Sequence, residues 1–225
     1  MASGSLHPPL VAKSGARGAV AWYFVAAIGA ASLAALIAWA AVVAGGRSEA
    51  DGLPVLAELP PFELLNERGE RFGSADLRGK AWVANFIFTR CPTVCPVLTR
   101  KMGSLQPVAQ ESGGALHLVS ISVDPDFDRP DVLRAYAEKA GADPARWTFL
   151  TGDAASVRAT VLEGFKVSIG RSGSPDDVAG IFHGTHFVLV DSGGWVRGYY
   201  ASEDSAAVGK LRRDMARLAR TVAAR

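Results

Sequence analysis

Sulfur is scarce in this chain of 225 residues. There are two cysteines, Cys91 and Cys95, both inside the stretch FIFTRCPTVCPVLTRKM, and four histidines in all. A zinc site asks for four protein ligands, or three and a water. Beyond the two thiols, the carboxy-terminal part of the chain supplies only His117, His183 and His186. Soft thiolates at low coordination number suit Cu(I) better than zinc. Excess charge is lacking as well: 24 Lys and Arg stand against 22 Asp and Glu, and no basic stripe carries interleaved aromatics. Nothing therefore points to nucleic acid. No internal repeat is visible, which excludes a solenoid or propeller.

Charge is absent altogether from Gly18 to Gly46, a run longer than the ~20 apolar residues that span a bilayer. Trp22 and Trp39 would lie roughly 25 Å apart along a helix, a spacing that suits the aromatic belts at the two membrane faces. The run is too long for the apolar core of a cleaved secretory signal, so cleavage after AVVA is the disfavoured alternative. Lys13 and Arg17 precede the run with no acid among them, and RSEAD follows it. The positive-inside rule then leaves residues 1–17 as a cytoplasmic tail, 18–46 as a transmembrane helix and 47–59 as a linker. Residues 60–225 form a single domain on the outer or periplasmic face of the inner (cytoplasmic) membrane, an oxidising space.

Within that domain, FELLNERGERF predicts a hairpin turning at Asn66–Gly69, followed by a buried strand over Ala81 to Phe88. LHLVSISV predicts a second buried strand, RPDVLRAYAEKAG a helix with Asp128 as its cap, and WTFLTG a third strand. DAASVRATVLEGF predicts a further helix, and KVSIGRSGSPDDVAG a loop. THFVLVDSGGWVRGYY predicts two strands joined at Ser192–Gly194. Val208, Leu211, Met215, Leu218 and Val222 recur at helical spacing and predict an amphipathic closing helix. Strands alternating with helices, then a hairpin and a helix, describe an α/β sandwich of the thioredoxin type.

The two cysteines are open to several readings: a structural disulfide, a redox couple, a metal clasp, a peroxidase thiol with its resolving partner, or two buried apolar side chains. Each precedes a proline, which disfavours the α region at both. The helix is therefore expected to start at Pro96, with Cys95 at the cap facing the positive end of the dipole. Arg90, Arg100 and Lys101 are near in sequence and would add to a thiolate-favouring field. A pair spaced C-x-x-x-C would also close a small disulfide loop, of modest stabilising power.

FIFTRCPTVCP, followed by ISVDPDFDRPDVLRAYA and HGTHFVLVDSGGWVRGYY, resembles the Sco/SenC family of membrane-anchored copper-binding proteins in the order and spacing of its blocks. The resemblance covers roughly residues 60 to 225. It implies a thioredoxin-like fold and delivery of Cu(I) or Cu(II) to the dinuclear copper site of cytochrome c oxidase, so that the partners are that copper-site subunit and a copper donor protein. It implies Cys91, Cys95 and a histidine before a late strand as ligands, while a Cys91–Cys95 disulfide is a reading that the spacing of the pair leaves open. The family's spacing places that histidine at His183, eight residues before Asp191; His186, inside the expected strand, reads instead as a packed histidine satisfied by a hydrogen bond. The DPDFDRP block is shared with the family, but its plainer reading is a turn shaped by Pro125 and a helix capped by Asp128. Reduction of the oxidase cysteines by the same thiols is the alternative function. Against a simple thioredoxin-type reductase, AGIFHGTHF has histidines where those enzymes carry a cis-proline. Against a peroxiredoxin, Thr89 stands two residues before Cys91 rather than three, and Phe86 to Phe88 contain no proline.

Overall fold

The computed structural model describes residues 52–171 and 181–224, together with Gly29 and residues 32–36 in the amino-terminal segment. The tail over 1–17 lies outside the described residues, as does the membrane helix expected over 18–46 apart from those six residues, which are helical. Among the described residues no helix is long and apolar enough to cross a membrane.

Eight strands make one mixed sheet. They are β1 (Ala57–Glu58), β2 (Glu63–Asn66), β3 (Arg71–Gly73), β4 (Ala81–Ile87), β5 (Leu116–Ser122), β6 (Trp147–Thr151), β9 (His186–Val190) and β10 (Trp195–Ala201). Their spatial order is β1-β10-β9-β4-β5-β6-β2-β3. The centre is parallel, β4 against β5 and β5 against β6, while β9 lies antiparallel to β4. Every residue of β4, β5 and β6 is buried, the polar Asn85, His117, Ser120, Ser122, Thr148 and Thr151 among them, as a parallel centre with both faces covered requires. The hairpin at Asn66 forms as expected, with Gly69 at a φ of 79° and its N–H donated to the Asn66 carbonyl.

Helices α1 (Val94–Gly103), α2 (Gln106–Glu111), α3 (Pro130–Lys139) and the closing α5 (Ser205–Ala223) contribute to the core on one face of the sheet. The face of α5 was legible in the sequence: Leu211, Met215 and Leu218 are buried, with Val208 and Val222 packed at their margin. The core on the other face is built from Leu59, Leu64, Leu77, Val157, Val161 and Phe165 around Trp82 and Phe86.

Three expectations change. Residues 53–59 are part of the domain rather than a tether. β1 pairs with β10, Leu53 and Leu59 are buried, and the buried Arg197 side chain donates to the carbonyls of Leu53 and Pro54 at 2.7 and 2.9 Å. The helix expected over residues 153–165 is α4 (Ala154–Arg158), capped by Asp153, running into a π-helical turn over Ala159–Gly164. Wider turns of this kind keep residues four apart on one face, and here Val157, Val161 and Phe165 all reach the core. Within the loop expected over residues 166–180 lies a strand, β7 (Ile169–Arg171), paired antiparallel with β8 (Ile181–His183).

Candidate metal centre

β4 ends at Ile87, and the chain turns at once into the cysteine loop. The loop is tight: the Cys91 N–H donates to the Phe88 carbonyl at 3.2 Å. Contrary to the expected start at Pro96, α1 begins at Val94 with Thr93 as its cap residue. Cys95 is thus the second residue of the helix, with Pro96 beside it inside the first turn, where a missing N–H costs nothing. The Cys95 side chain points into the core with no exposure, while Cys91 remains 8% exposed at the surface end of the loop.

The two thiols are reduced, adjacent and unequal. The Cys95 N–H donates to Cys91 Sγ at 3.4 Å. Burial works against a Cys91 thiolate, yet N–H groups of Cys95, Thr93 and Val94 and the Cys95 thiol all donate to it, and its pKa falls below that of an ordinary thiol. Burial dominates at Cys95 and pushes its pKa well up, against the help of the Phe88 N–H and with the Cys91 and Asp128 charges adding to the rise. The expectation of a thiolate at Cys95 is therefore corrected. N–H groups at the start of the helix converge on Cys91, so of the two sulfurs the thiolate is favoured at Cys91, while burial favours the protonated form of Cys95. Arg90, Arg100 and Lys101 are not among the principal causes of the Cys91 shift. The Arg90 guanidinium is spent elsewhere.

It pairs with Asp124, donating from Nε at 3.0 Å and Nη2 at 2.7 Å to a carboxylate with no exposure, and lies 4.4 Å above the Phe127 ring. Beside it, Asp128 accepts from the Thr89 N–H at 3.0 Å, from the Thr89 hydroxyl at 2.5 Å and from the Ser122 hydroxyl at 2.5 Å. Asp128 does not cap α3, whose cap residue is Arg129 with no side-chain bond. Burial raises the Asp128 pKa, in part offset by its Ser122 and Thr89 bonds. Two of the three carboxylates of DPDFDRP, Asp124 and Asp128, thus hold the two residues immediately before Cys91, a positioning role in place of the turn and cap expected. The usable signal was the spacing of two acids at the end of a buried strand, facing Thr-Arg-Cys at the end of its neighbour.

The histidines divide. His117 is the second residue of β5, at the end of the sheet away from the cysteine loop. It is buried, bonded to Thr148 Oγ1 at 2.9 Å and stacked on Phe72, and burial and nearby cations lower its pKa to about 4. It is a core residue. His183 ends β8, its backbone paired with Ile169; its side chain lies outside the described residues. His186 is exposed at the start of β9, so it is a surface residue and not the packed one expected. Among the described residues no group of three His, Cys, Asp or Glu side chains forms a metal cluster. What the described residues bring together is a soft two-sulfur donor set, one sulfur accessible and already biased to thiolate, which suits a soft cation.

Comparison with known proteins gives the same fold. A SCO1/SenC family lipoprotein from Bacillus anthracis superposes with a TM-score of 0.65 at 37% identity, covering 72% of this chain and 95% of that one. BsSco, described as a member of the Sco family of cytochrome c oxidase assembly proteins with a disulfide switch, superposes with a TM-score of 0.64 at 30% identity over 74% of this chain and 96% of its own. Bradyrhizobium japonicum ScoI with copper bound gives a TM-score of 0.59 at 25% identity over 70% and 99%. The sequence pattern of SCO1/SenC matches residues 53–219, the whole span from the first buried leucine of the domain into its closing helix. With the paired thiols standing where the first β–α turn of a thioredoxin-like sheet presents them, the chain belongs to the SCO1/SenC family.

Proposed function

We propose that this protein is a membrane-anchored copper metallochaperone. It receives copper from a donor protein, holds it through Cys91, Cys95 and His183, and delivers it to the dinuclear copper site of cytochrome c oxidase. Residues 18–46 anchor it in the cytoplasmic membrane, and the domain works on the outer or periplasmic side. The observation that carries the reading is the reduced thiol pair in a member of a family of copper-binding proteins involved in oxidase assembly. Two soft donors of unequal acidity suit a cargo that must be both held and released. Cys91 ionises the more easily, whereas Cys95 gives up its proton against the cost of burial, so the Cys95 bond to the metal is the more easily reversed by reprotonation.

The test is transfer. Copper-loaded protein mixed with the metal-free copper-site domain of the oxidase subunit should lose its metal to that domain, with the recipient's absorption appearing as the donor's fades. Copper that stays on the donor would sink the reading.

The asymmetry of the thiols also supports a second reading, a thiol-disulfide oxidoreductase acting on the oxidase cysteines. An accessible thiolate next to a buried thiol can attack a disulfide and then be resolved by its neighbour. The reduced, copper-free protein mixed with the oxidised recipient distinguishes the two, because only a reductase generates recipient thiols while forming the Cys91–Cys95 disulfide.

A further inference from the structure

Cys91 opens onto a cleft of about 380 Å³ between α1 and α3, within the range of roughly 300–1,000 Å³ that binding pockets occupy. Thr99 and Tyr136 are joined across it by a 2.8 Å hydrogen bond, and Pro96 lines one side. The charged residues lining it are Arg100 and Lys139, with no carboxylate among the lining residues. Each cation stands in the last turn of its own helix. Among the described residues neither is paired with an acid. The cleft is therefore an uncompensated positive site with a sulfur in its wall.

The surroundings favour a protein over a small molecule. Val94 and Val97, on the helix that carries Cys95, are 45% and 42% exposed, and Phe127, under the Arg90 guanidinium, is 41% exposed. Apolar side chains kept in water beside a functional group signal a contact surface. Since Cys95 is wholly buried, Cys91 is the sulfur that a partner reaches first.

We propose that this cleft docks an extended segment of the protein that takes the copper, bringing a cysteine of that segment to Cys91 and a neighbouring carboxylate side chain between Arg100 and Lys139. The proposal rests on the copper-donor reading and adds the chemistry of the recipient, a thiol flanked by acid.

The test reads docking through Cys91 without copper. Peptides with one cysteine flanked by Glu, Gln or Lys are activated as mixed disulfides with thionitrobenzoate and mixed with the reduced full-length Cys95→Ser chain in detergent. The Cys91 thiolate attacks the peptide sulfur, the bond from peptide to thionitrobenzoate breaks, and coloured thionitrobenzoate leaves with the electron pair. Cys91 and the peptide are left joined by the new disulfide. Each rate is divided by the rate of the same peptide with mercaptoethanol, which removes intrinsic reactivity. The Glu peptide should react about tenfold faster than the Lys peptide, the size expected of one to two exposed ion pairs, and salt should erase the difference. Arg100→Glu with Lys139→Glu should invert the order. Equal rates for the three wild-type reactions, or a preference that survives the charge reversal, would overturn the proposal. So would activated glutathione reacting as fast as the Glu peptide, since the occupant would then be a small anionic thiol. Copper retention by the wild-type chain, measured separately, keeps the two readings apart: copper held without a charge preference defeats only the docking proposal, and no copper held defeats the copper-donor reading.

Discussion

Replacing Asp128 with Ala tests whether the carboxylates behind the loop set the position of Cys91. The substitution deletes the acceptor of three hydrogen bonds, from the Thr89 N–H, the Thr89 hydroxyl and the Ser122 hydroxyl, in a site with no solvent exposure. A buried donor left without an acceptor costs about 1–3 kcal/mol. The two hydroxyls can rotate toward other acceptors, but the Thr89 N–H is fixed by the backbone. Part of the loss is recovered, because burial already disfavours the Asp128 charge and raises its pKa. The balance is a loss of about 2–3 kcal/mol, read as a lower denaturant midpoint for the fragment from Ser48 to Arg225. The same change should alter the rate at which Cys91 is alkylated, because Thr89 lies two residues before it. Thr89→Val removes one of the three bonds and should cost about 1 kcal/mol alone, and much less in the Asp128→Ala background. A midpoint and an alkylation rate both equal to wild type would refute the reasoning, and so would full additivity of the two substitutions.

Alkylation of the reduced chain with a limiting reagent near neutral pH should mark Cys91 well before Cys95, read by peptide mass; labelling of Cys95 first would reverse the assignment of the thiolate. Burial holds the pKa of His117 at about 4 against an ordinary 6.5, so the unfolded chain takes up a proton that the folded one refuses. Stability is present above 6.5 and lost as pH falls toward 4, by about 3 kcal/mol if nothing else titrates. His117→Gln should therefore gain on the wild type across that window, and parallel pH profiles would contradict the assignment. Protease added to intact spheroplasts should remove residues beyond 46 if they face outward, whereas full protection would reverse the topology.

Much of the fold could be read from the chain because its strongest signals are local. β4, β5 and β6 are rich in apolar and β-branched residues, Gly69 and Gly194 mark the hairpins with positive φ, and α5 keeps its heptad-like stripe. The cysteines were legible for the same reason, as two thiols in one short loop. What escaped depends on contacts between distant segments. The bonds from Asp128 to Thr89 and from Asp124 to Arg90 span 39 and 34 residues, and a local reading turns the same acids into a cap and a turn. The helix start shifted from Pro96 to Val94 because a proline is tolerated anywhere in the first turn, so its position bounds the start without fixing it. The inequality of the thiols likewise follows from burial, which the motif does not encode.

The account stands on Cys91, Cys95 and His183 forming one copper site. Reduced protein titrated with Cu(II), followed by its sulfur-to-copper charge-transfer band and by the copper retained after desalting, addresses that most directly. The wild type should hold one equivalent, and Cys91→Ser and Cys95→Ser should each hold none tightly. His183→Ala should bind Cu(II) markedly more weakly while keeping some affinity for Cu(I), and His186→Ala should match the wild type. One retained equivalent with the wild-type spectrum in either serine variant, or the reverse ranking of the two histidines, would contradict the assignment.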